Sequence, residues 1–283
     1  MKHALGRCLV AILRVMACLP LRAARAAGTV IGATAWRLRT RPARMTAFNV
    51  DACFPHLTFE QRRELCRRSL IETGRLVAET GFAWYARRGA FERRVRIVEG
   101  AELMSRPATE GLLILMPHLG NWEILAYVFG GSNVACLYTP PRVPGLEREM
   151  IHGRGRWGIR AVPADMGGLR ALKRALNTGG AVGILPDQTP SPEAGVRAPF
   201  FGHEAITMTL AHRLLTERTR AVIATAQRTA SGFDVRIALA DDGIRDPDPV
   251  ASATAMNAAI EKEVLREPAQ YQWEYNRFRH TLR

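Results

Sequence analysis

Residues 111–123 read GLLILMPHLGNWE, an apolar run that leads into a histidine and, five positions later, a carboxylate. The run from Gly111 to Met116 has the length of a buried strand, and Pro117 and Gly120 end it. The apolar residues that follow have helical spacing: Trp122, Ile124, Leu125, Val128 and Phe129. The stretch therefore predicts a strand-to-helix corner that carries His118 and Glu123.

The spacing between His118 and Glu123 constrains how the two can meet. Residues five apart on a regular helix lie about 140° apart around its axis, so these two cannot share a helix face. We expect His118 on the loop and Glu123 in the first helical turn, with Gly120 bending the chain so that the carboxylate accepts from one ring nitrogen. The other nitrogen would act as general base for a substrate hydroxyl. The structural alternative is a helix-start histidine beside an acidic residue that suits the macrodipole. Asn121 is expected to cap the helix.

Beyond this corner the chain alternates strand-like runs with helical patterns. The runs lie at 134–138, 159–163, 181–185, 221–225 and 233–239, and the helical patterns at 60–87, 145–157, 168–177 and 206–216. A turn with Thr58 as N-cap precedes the first helix, and 191–195 reads as a loop. The alternation predicts an α/β fold with a mostly parallel central sheet flanked by helices, in which the last two strands can form an antiparallel edge. Active centres lie outside the carboxyl ends of such strands, so His118, 138–141 and 186–188 should converge.

The N-terminal segment is strongly basic. The first fifty residues carry nine Lys and Arg side chains and no carboxylate, within a chain of net charge +14 that calls for an acidic partner. If the segment is helical, His3, Arg7, Arg14, Arg22 and Arg25 fall within an arc of about 100° opposite an apolar face. That pattern is typical of an amphipathic helix at an anionic membrane surface.

The basic segment has other interpretations: a membrane-spanning helix, a signal peptide, a core helix or a nucleic-acid-binding surface. Arginines interrupt every stretch that could reach the roughly 18 residues of a spanning helix. A signal peptide and a plain core helix remain as alternatives. The basic residues accompany an apolar stripe rather than exposed aromatics, which argues against nucleic acid as partner. We expect residues 1–45 to be a membrane-associating segment and residues 46–283 a single α/β domain.

Cysteine and glycine patterns bound the chemistry. The five cysteines form no CxxC pair, which favours buried, reduced thiols over a zinc site or a disulfide framework. Glycine pairs at 167–168 and 179–180 make neither a phosphate loop nor a dinucleotide fingerprint. We expect no metal and no cofactor.

Several sequence blocks, in order, resemble those of one enzyme family. They are the His118 to Glu123 motif, Tyr138-Thr139-Pro140, Arg154 to Gly158, Gly183 to Gln188 and Ala198 to Gly202, with further similarity at 44–55 and 268–279. Over nearly its whole length the chain resembles the late acyltransferases of lipid A biosynthesis, the lauroyl and myristoyl transferase family. Tyr275 and Asn276 stand where family members tend to carry His and Arg.

The resemblance implies a peripheral or monotopic enzyme on the cytoplasmic face of the inner membrane. It would move a fatty acyl chain from acyl carrier protein to a hydroxyl of a lipid A precursor, with His118 as base and Glu123 orienting it. Arg154 and Arg156 are marked as oxyanion or substrate-binding residues, the alternative being solvated arginines. Asp187 and Gln188 would bind substrate, with Asp187 paired to one of those arginines, the alternative being a strand-end Asp that caps a turn.

Two alternative functions are an acyl-CoA-dependent acyltransferase and a non-catalytic membrane scaffold. A related branch of the superfamily uses acyl-CoA to acylate glycolipids such as phosphatidylinositol mannosides, and the sequence does not separate the two donors. A non-catalytic relative that acts as a membrane scaffold would tolerate substitution of His118.

Overall fold

The computed structural model describes residues 2–141 and 143–282, with the side chains of Lys2, His3 and Leu5, three positions in or beside the predicted basic stripe, outside that description. Its helices are α1 (Lys2–Cys18), α2 (Leu21–Arg37), α3 (Arg41–Cys53), α4 (Phe59–Tyr85), α5 (Arg88–Glu92), α6 (Leu125–Phe129), α7 (Leu146–Gly155), α8 (Met166–Asn177), α9 (Leu210–Leu214) and α10 (Pro249–Arg266). Its strands are β1 (Val95–Glu99), β2 (Gly111–Leu115), β3 (Val134–Tyr138), β4 (Arg160–Pro163), β5 (Ala181–Ile184), β6 (Gly195–Phe200), β7 (His203–Met208), β8 (Thr219–Arg228) and β9 (Phe233–Leu239).

The central sheet confirms the predicted α/β class. Within the described residues it has seven strands in the order β1-β9-β8-β2-β5-β3-β4, and every neighbouring pair is parallel except β8 with β9. All five residues of β2 are buried, as an apolar run near the middle of the sheet requires. Two hydrophobic clusters, one on each face of the sheet, form the core.

The placement of the last two strands differs from the prediction. They do pair antiparallel, but β8 lies beside β2 and β9 is covered by β1, which pairs with it in parallel. The sequence did not reveal β1, because it is short and Arg96 and Glu99 break up its apolar residues, so it forms no continuous apolar run. The sheet edge is therefore β1 rather than β9.

The predicted helix at 206–216 is wrong in its first half. Residues His203–Met208 form β7, which pairs antiparallel with β6 across a turn at Phe201 and Gly202, both with positive φ. Only Leu210–Leu214 are helical. The predicted loop at 191–195 is a short 3₁₀ turn that runs directly into β6. Ile206 and Thr207 are β-branched residues of β7 that pair with Arg197 and Val196 of β6, and this pairing overrides the helical spacing.

The N-terminal helices pack closely on α4. Thr58 and Gln61 begin α4 with the predicted N-cap, here a reciprocal capping box. The basic segment is split at Pro20 into α1 and α2, and the backbone of α2 lies so near α4 that a Cβ on Gly32 would be 2.1 Å from the Leu70 carbonyl oxygen. None of the helices that the structure describes combines the length and apolar character needed to cross a membrane.

The cysteines fall into two groups. Cys53, Cys66 and Cys136 are buried as predicted, and burial raises the pKa of the Cys53 and Cys66 thiols to about 12. Cys8 and Cys18 are exposed, which corrects the prediction for these two, because they lie on the outward side of α1. The three buried thiols are packing residues with little thiolate character.

Candidate active site

His118 and Asp187 meet at the carboxyl ends of two adjacent parallel strands. Leu115 of β2 pairs with Ile184 of β5, and His118 and Asp187 follow these two residues by three positions each. The His118 Nδ1 atom is 2.7 Å from Asp187 Oδ1, and the His118 backbone N–H donates to Asp187 Oδ2 at 2.8 Å. The predicted convergence of these two segments is confirmed.

The Asp187 carboxylate fixes the tautomer of the imidazole. Its side chain is 1% exposed; burial opposes its ionisation, but the charge of His118 and the hydrogen bonds from it hold the pKa of Asp187 below its usual value. Because an ionised carboxylate only accepts, the neutral form of His118 carries its proton on Nδ1, and its Nε2 has a free lone pair. The ring is 13% exposed and packs edge-on against Trp122 with the ring centroids 4.7 Å apart. Nε2 is thus available as a base.

Glu123 does not hydrogen-bond to His118, which corrects the predicted pairing. Its Oε2 accepts from Arg154 Nε at 2.9 Å and from Trp84 Nε1 at 3.0 Å, and Arg154 Nη2 donates to the other oxygen. After Gly120 the chain enters a 3₁₀ turn at Trp122–Ile124, which directs Glu123 toward α4 and α7. Burial opposes its ionisation, but Arg154 and Trp84 hold the pKa of Glu123 below its usual value, and His118 lies near enough to contribute.

The two predicted arginines have different surroundings. Arg154 is largely buried and makes the bidentate contact with Glu123, so the predicted ion pair between Asp187 and an arginine is wrong. Arg156 is exposed, donates to the Trp84 carbonyl at 3.1 Å and lies 4.7 Å from the Trp157 ring centroid.

The other predicted segments sit at the margin of the site. Gln188 is half-buried beside Asp187 and forms no side-chain hydrogen bond within the described residues. Tyr138 is at the end of β3, where its hydroxyl donates to Glu147 at 2.9 Å rather than reaching His118. Tyr275, by contrast, accepts from the Thr189 backbone N–H at 3.0 Å and so anchors the chain just after Asp187.

The loop after His118 is held by backbone contacts. The Gly120 N–H donates to the Gln270 carbonyl at 3.0 Å, and the Gln272 N–H donates to the His118 carbonyl at 3.1 Å. Gly120 has φ +66°, and a Cβ there would lie 2.1 Å from the Ala226 carbonyl oxygen, so glycine is required. The loop is therefore fixed in place before substrate binds.

A second buried charge cluster, which we call the Glu79 cluster, supports this loop from below. Glu79 is fully buried in α4 and accepts from Arg25 Nε at 2.6 Å, Arg228 Nε at 2.7 Å and Asn121 Nδ2 at 3.0 Å. Arg228 Nη2 also donates to the Gly120 carbonyl at 3.0 Å. The predicted helix-capping role of Asn121 is therefore wrong, because its amide is directed to Glu79.

Sequence reasoning missed Glu79, although a signal was present. Glu79 interrupts the apolar face of α4 between buried Ala78 and Phe82, and an isolated carboxylate on such a face needs buried partners. Arg25 was assigned to the outer basic stripe, but it turns inward to Glu79 and also donates to the Thr229 and Gly232 carbonyls.

A narrow apolar cavity of about 30 Å³ lies against Glu123 and Arg154. Trp122 stands between this cavity and the His118 ring. The rest of its wall is aliphatic and aromatic side chains with one thiol: Ile114, Met116, Leu125, Ala126, Phe129, Val134, Cys136, Ile159 and Leu185. Within residues 2–141 and 143–282 no group of three or more His, Cys, Asp or Glu side chains could hold a metal ion.

Comparison with known proteins places this site in context. Residues 3–280 match the sequence profile of the family described as bacterial lipid A biosynthesis acyltransferase. The chain is 29% identical over 261 residues to the lipid A biosynthesis palmitoleoyltransferase of Escherichia coli K12, covering 89% of this chain and 83% of that protein. It is 27% identical to a lipid A biosynthesis acyltransferase of Haemophilus influenzae (95% and 88% covered) and 25% identical to the lauroyltransferase of E. coli K12 (89% and 84% covered).

Proposed function

Because the chain belongs to the bacterial lipid A biosynthesis acyltransferase family, we propose that it transfers a fatty acyl chain from a thioester donor to a hydroxyl of a lipid A precursor, with His118 as general base. The observation that carries this proposal is the 2.7 Å contact between His118 Nδ1 and Asp187 Oδ1, which leaves Nε2 free; Trp122, which packs against the ring, also lines the apolar cavity. The orienting carboxylate in this proposal is Asp187 rather than Glu123.

The chemical step follows from that tautomer. His118 Nε2 takes the proton of the acceptor hydroxyl as its oxygen attacks the thioester carbonyl, and a C–O bond forms. The tetrahedral intermediate then expels the thiolate, the C–S bond breaks, and the imidazolium returns the proton to sulfur. Asp187 stabilises the imidazolium at one edge, and the charge of Glu123 adds to this from nearby.

The oxyanion of the tetrahedral intermediate needs a donor in a site with little water. The backbone N–H groups of Leu119, Gly120 and Asn121 are all used within the fold, donating to Pro117, Gln270 and Ala226. Arg154 therefore supplies the charge: Glu123 holds its Nε and Nη2, and Nη1 makes no hydrogen bond within the described residues. In this proposal Glu123 is a positioning residue for Arg154. Arg156 and Gln188 contribute at most substrate contacts at the margin.

The acyl chain of the donor occupies the cavity behind Trp122. The cavity's present volume is far below the roughly 300–1,000 Å³ of ordinary ligand pockets, so the chain enters only when side chains such as Met116 and Leu125 move. The unbranched Met116 thioether can change rotamer at low cost, which suits a channel that opens on binding. The depth to which these side chains yield would set the preferred acyl length.

The proposed place of action is the cytoplasmic face of the inner membrane. A net charge of +14 and exposed apolar side chains on α1 and α2, among them Val15 and Val30, support contact with an anionic bilayer surface. The donor in this proposal is acyl carrier protein, with acyl-CoA as the alternative, since both are acidic and suit a basic enzyme.

A reconstituted assay tests the proposal. The purified full chain in detergent is given a lipid A precursor with a free 3-hydroxyacyl group and either acylated carrier protein or acyl-CoA, and the lipid products are identified by mass spectrometry. We expect one added acyl ester per acceptor, formed faster with acylated carrier protein than with acyl-CoA.

The matched control is the chain with His118→Ala, which should give no product above the reaction without protein. Transfer at the wild-type rate by this variant would contradict the proposal and favour a non-catalytic scaffold. Transfer to water alone, giving free fatty acid, would contradict the choice of acceptor.

A further inference from the structure

A cavity of about 800 Å³ opens between the end of α2, α3 and the start of α4, remote in sequence from His118 and Asp187. We call it the arginine pocket. Five arginines and a single carboxylate, Asp51, line it, which gives a net charge of +4. The arginines are Arg37, Arg39, Arg44, Arg62 and Arg63.

The positive charge of the arginine pocket is mostly uncompensated. Arg62 donates to Asp51 at 2.8 Å, so the one carboxylate is already paired. The other four arginines are exposed, and they form no ion pair within residues 2–141 and 143–282. Arg44 donates to the Arg39 carbonyl at 2.7 Å, which brings two guanidinium side chains to the turn between α2 and α3. Like charges gathered this way favour an anion between them.

The turn between α2 and α3 has an unusual backbone. Arg39 has φ +48°, a conformation that few residues other than glycine and asparagine adopt. Asparagine or glycine at position 39 would adopt this positive φ with less backbone strain than arginine. This is consistent with a use for its charge at the mouth of the pocket.

The remaining wall of the pocket is apolar. Trp36 and Phe59 line it together with small side chains, and Phe59 is 66% exposed. Close in sequence to the pocket residues of α2, Ile31 and the C-cap residue Leu38 are 53% and 69% exposed. A soluble anion would contact only the arginines. This pocket has guanidinium groups and, next to them, apolar side chains that a soluble anion would leave without a partner. That combination fits an amphiphile whose phosphate meets the arginines and whose chains begin at Trp36.

We propose that the arginine pocket binds the phosphate headgroup of an anionic membrane phospholipid and so fixes the protein on the bilayer at this point. The inference rests on the proposed action at a membrane surface and names the site that holds the lipid. It is separate from the chemistry, because none of the pocket residues contacts His118, Asp187, Glu123 or Arg154.

Two matched double variants test the proposal. Arg37→Gln with Arg63→Gln removes two unpaired charges of the pocket, neither of which makes a hydrogen bond within the described residues. Arg67→Gln with Arg68→Gln removes the same charge from the exposed side of α4, where each arginine is already paired with a glutamate, Glu64 or Glu267. Both pairs of substitutions are at exposed positions and should leave the fold intact.

The first measurement is sedimentation with vesicles of phosphatidylcholine that contain phosphatidylglycerol. The pocket variant should lose about tenfold or more in affinity, and the control variant less than about twofold. Equal losses in the two variants would overturn the proposal, because they would show diffuse attraction of charge rather than a site.

The second measurement is native mass spectrometry from neutral detergent. We expect one phosphatidylglycerol bound to the wild-type chain and to the control variant, and none to the pocket variant. Retention of phosphatidylcholine to the same extent, or full displacement by inorganic phosphate alone, would overturn a phospholipid site. Binding of only the acceptor lipid would also overturn it and make the pocket part of the acceptor site.

Acyl transfer to a detergent-dispersed acceptor separates this inference from the proposed function. The pocket variant should retain the wild-type rate there, since no membrane has to be found. A chain that binds phosphatidylglycerol through the pocket but transfers no acyl group would refute the enzymatic proposal and leave this one standing.

Discussion

Two buried charge clusters lie on either side of the loop at 118–121, and they differ in one respect. In the Glu79 cluster a single carboxylate accepts from two arginines and an amide, and both of its oxygens are engaged. In the His118 cluster, made of His118, Asp187, Glu123 and Arg154, the imidazole has one nitrogen engaged and one free. A closed cluster can hold geometry, whereas an open one can exchange a proton with a substrate.

The comparison indicates why two carboxylates near His118 have distinct tasks. Asp187 contacts the ring directly from the neighbouring strand, while Glu123 reaches Arg154 on α7 and Trp84 on α4. Glu79 contacts neither the His118 ring nor Arg154. It holds the backbone that follows His118, because it accepts from the Asn121 amide and pairs with Arg228, which donates to the Gly120 carbonyl. Substitutions of His118 and Asp187 should therefore change mainly rates, and those in the closed cluster should change stability. Glu123, which is buried and paired with Arg154, should affect stability as well.

The largest expected effect on rate comes from His118→Ala. Removing the base should lower kcat by about 10²–10⁴-fold, the usual contribution of a general base. The melting temperature should fall less than for loss of a closed-cluster carboxylate, because the His118 backbone N–H still donates to the buried Asp187. The rate of acyl transfer and thermal unfolding in detergent measure the two. The exposed His56, substituted in the same way, is the control and should alter neither. A fall in melting temperature as large as that caused by substituting Glu79 would contradict the contrast between the two clusters.

Glu79→Leu probes the closed cluster. It leaves Arg25 and Arg228 buried without their carboxylate, which should lower the free energy of unfolding by about 3–5 kcal/mol. Urea unfolding followed by tryptophan fluorescence measures the change. Glu64→Leu on the same helix removes a glutamate that is 52% exposed and should cost at most about 1 kcal/mol. A Glu79→Leu chain as stable as the wild type would show that the cluster is not structural.

Asp187→Asn sharpens the assignment of the orienting residue. The amide can still accept a hydrogen bond but carries no charge to stabilise the imidazolium, so kcat should fall on the order of 10–100-fold with little change in KM. Initial rates at varied acceptor concentration separate the two constants. Asp187→Glu keeps the charge and should restore part of kcat. If Asp187→Asn were fully active while Glu123→Gln were inactive, Glu123 would be the orienting residue after all.

Glu123→Gln should have the smallest effect at neutral pH and a distinctive pH dependence. The folded protein holds the pKa of Glu123 below its usual value, so its stabilising contribution is present above the unfolded-state pKa near about 4.3 and is lost as the pH falls through the folded-state pKa. The variant should be less stable than the wild type by about 1–3 kcal/mol at pH 7, with the difference shrinking below about pH 4. Urea unfolding across this pH range tests it, and a constant difference would contradict it.

The sequence was most informative where burial is complete. Every residue of β2 is buried, so its apolar run marked a strand, and the strands at 134–138 and 233–239 were predicted with the bounds observed. The meeting of His118 with the segment 186–188 followed from the rule that parallel strands end at one edge. Among the strands, only β1 and the β6–β7 hairpin were not predicted, because these short segments carry charged residues among the apolar ones and form no continuous apolar run.

Side-chain pairing was predicted less well than backbone placement. The spacing of His118 and Glu123 suggested a contact along the chain, but Asp187 approaches from the adjacent strand with its register set by the Leu115–Ile184 pair. A hydrogen bond between strands depends on register, which a single sequence does not reveal. Arg25 was misplaced for a related reason: helical phase put it on the basic stripe, while the partner that turns it inward lies 54 residues away.

The close approach of α2 to α4 has a practical consequence for anyone who trims this protein to make it easier to handle. Gly28 and Gly32 pack against Gly74 and Leu70 with no space for even a methyl group, and Arg25 forms an ion pair with the buried Glu79. Deleting residues beyond position 20 would expose the face of α4 that α2 covers, and we expect such a chain to aggregate in any detergent. α1 cannot be removed either, because a Cβ on Gly81 of α4 would lie 2.2 Å from the Leu13 carbonyl oxygen, so shorter versions should keep the chain from α1 onward.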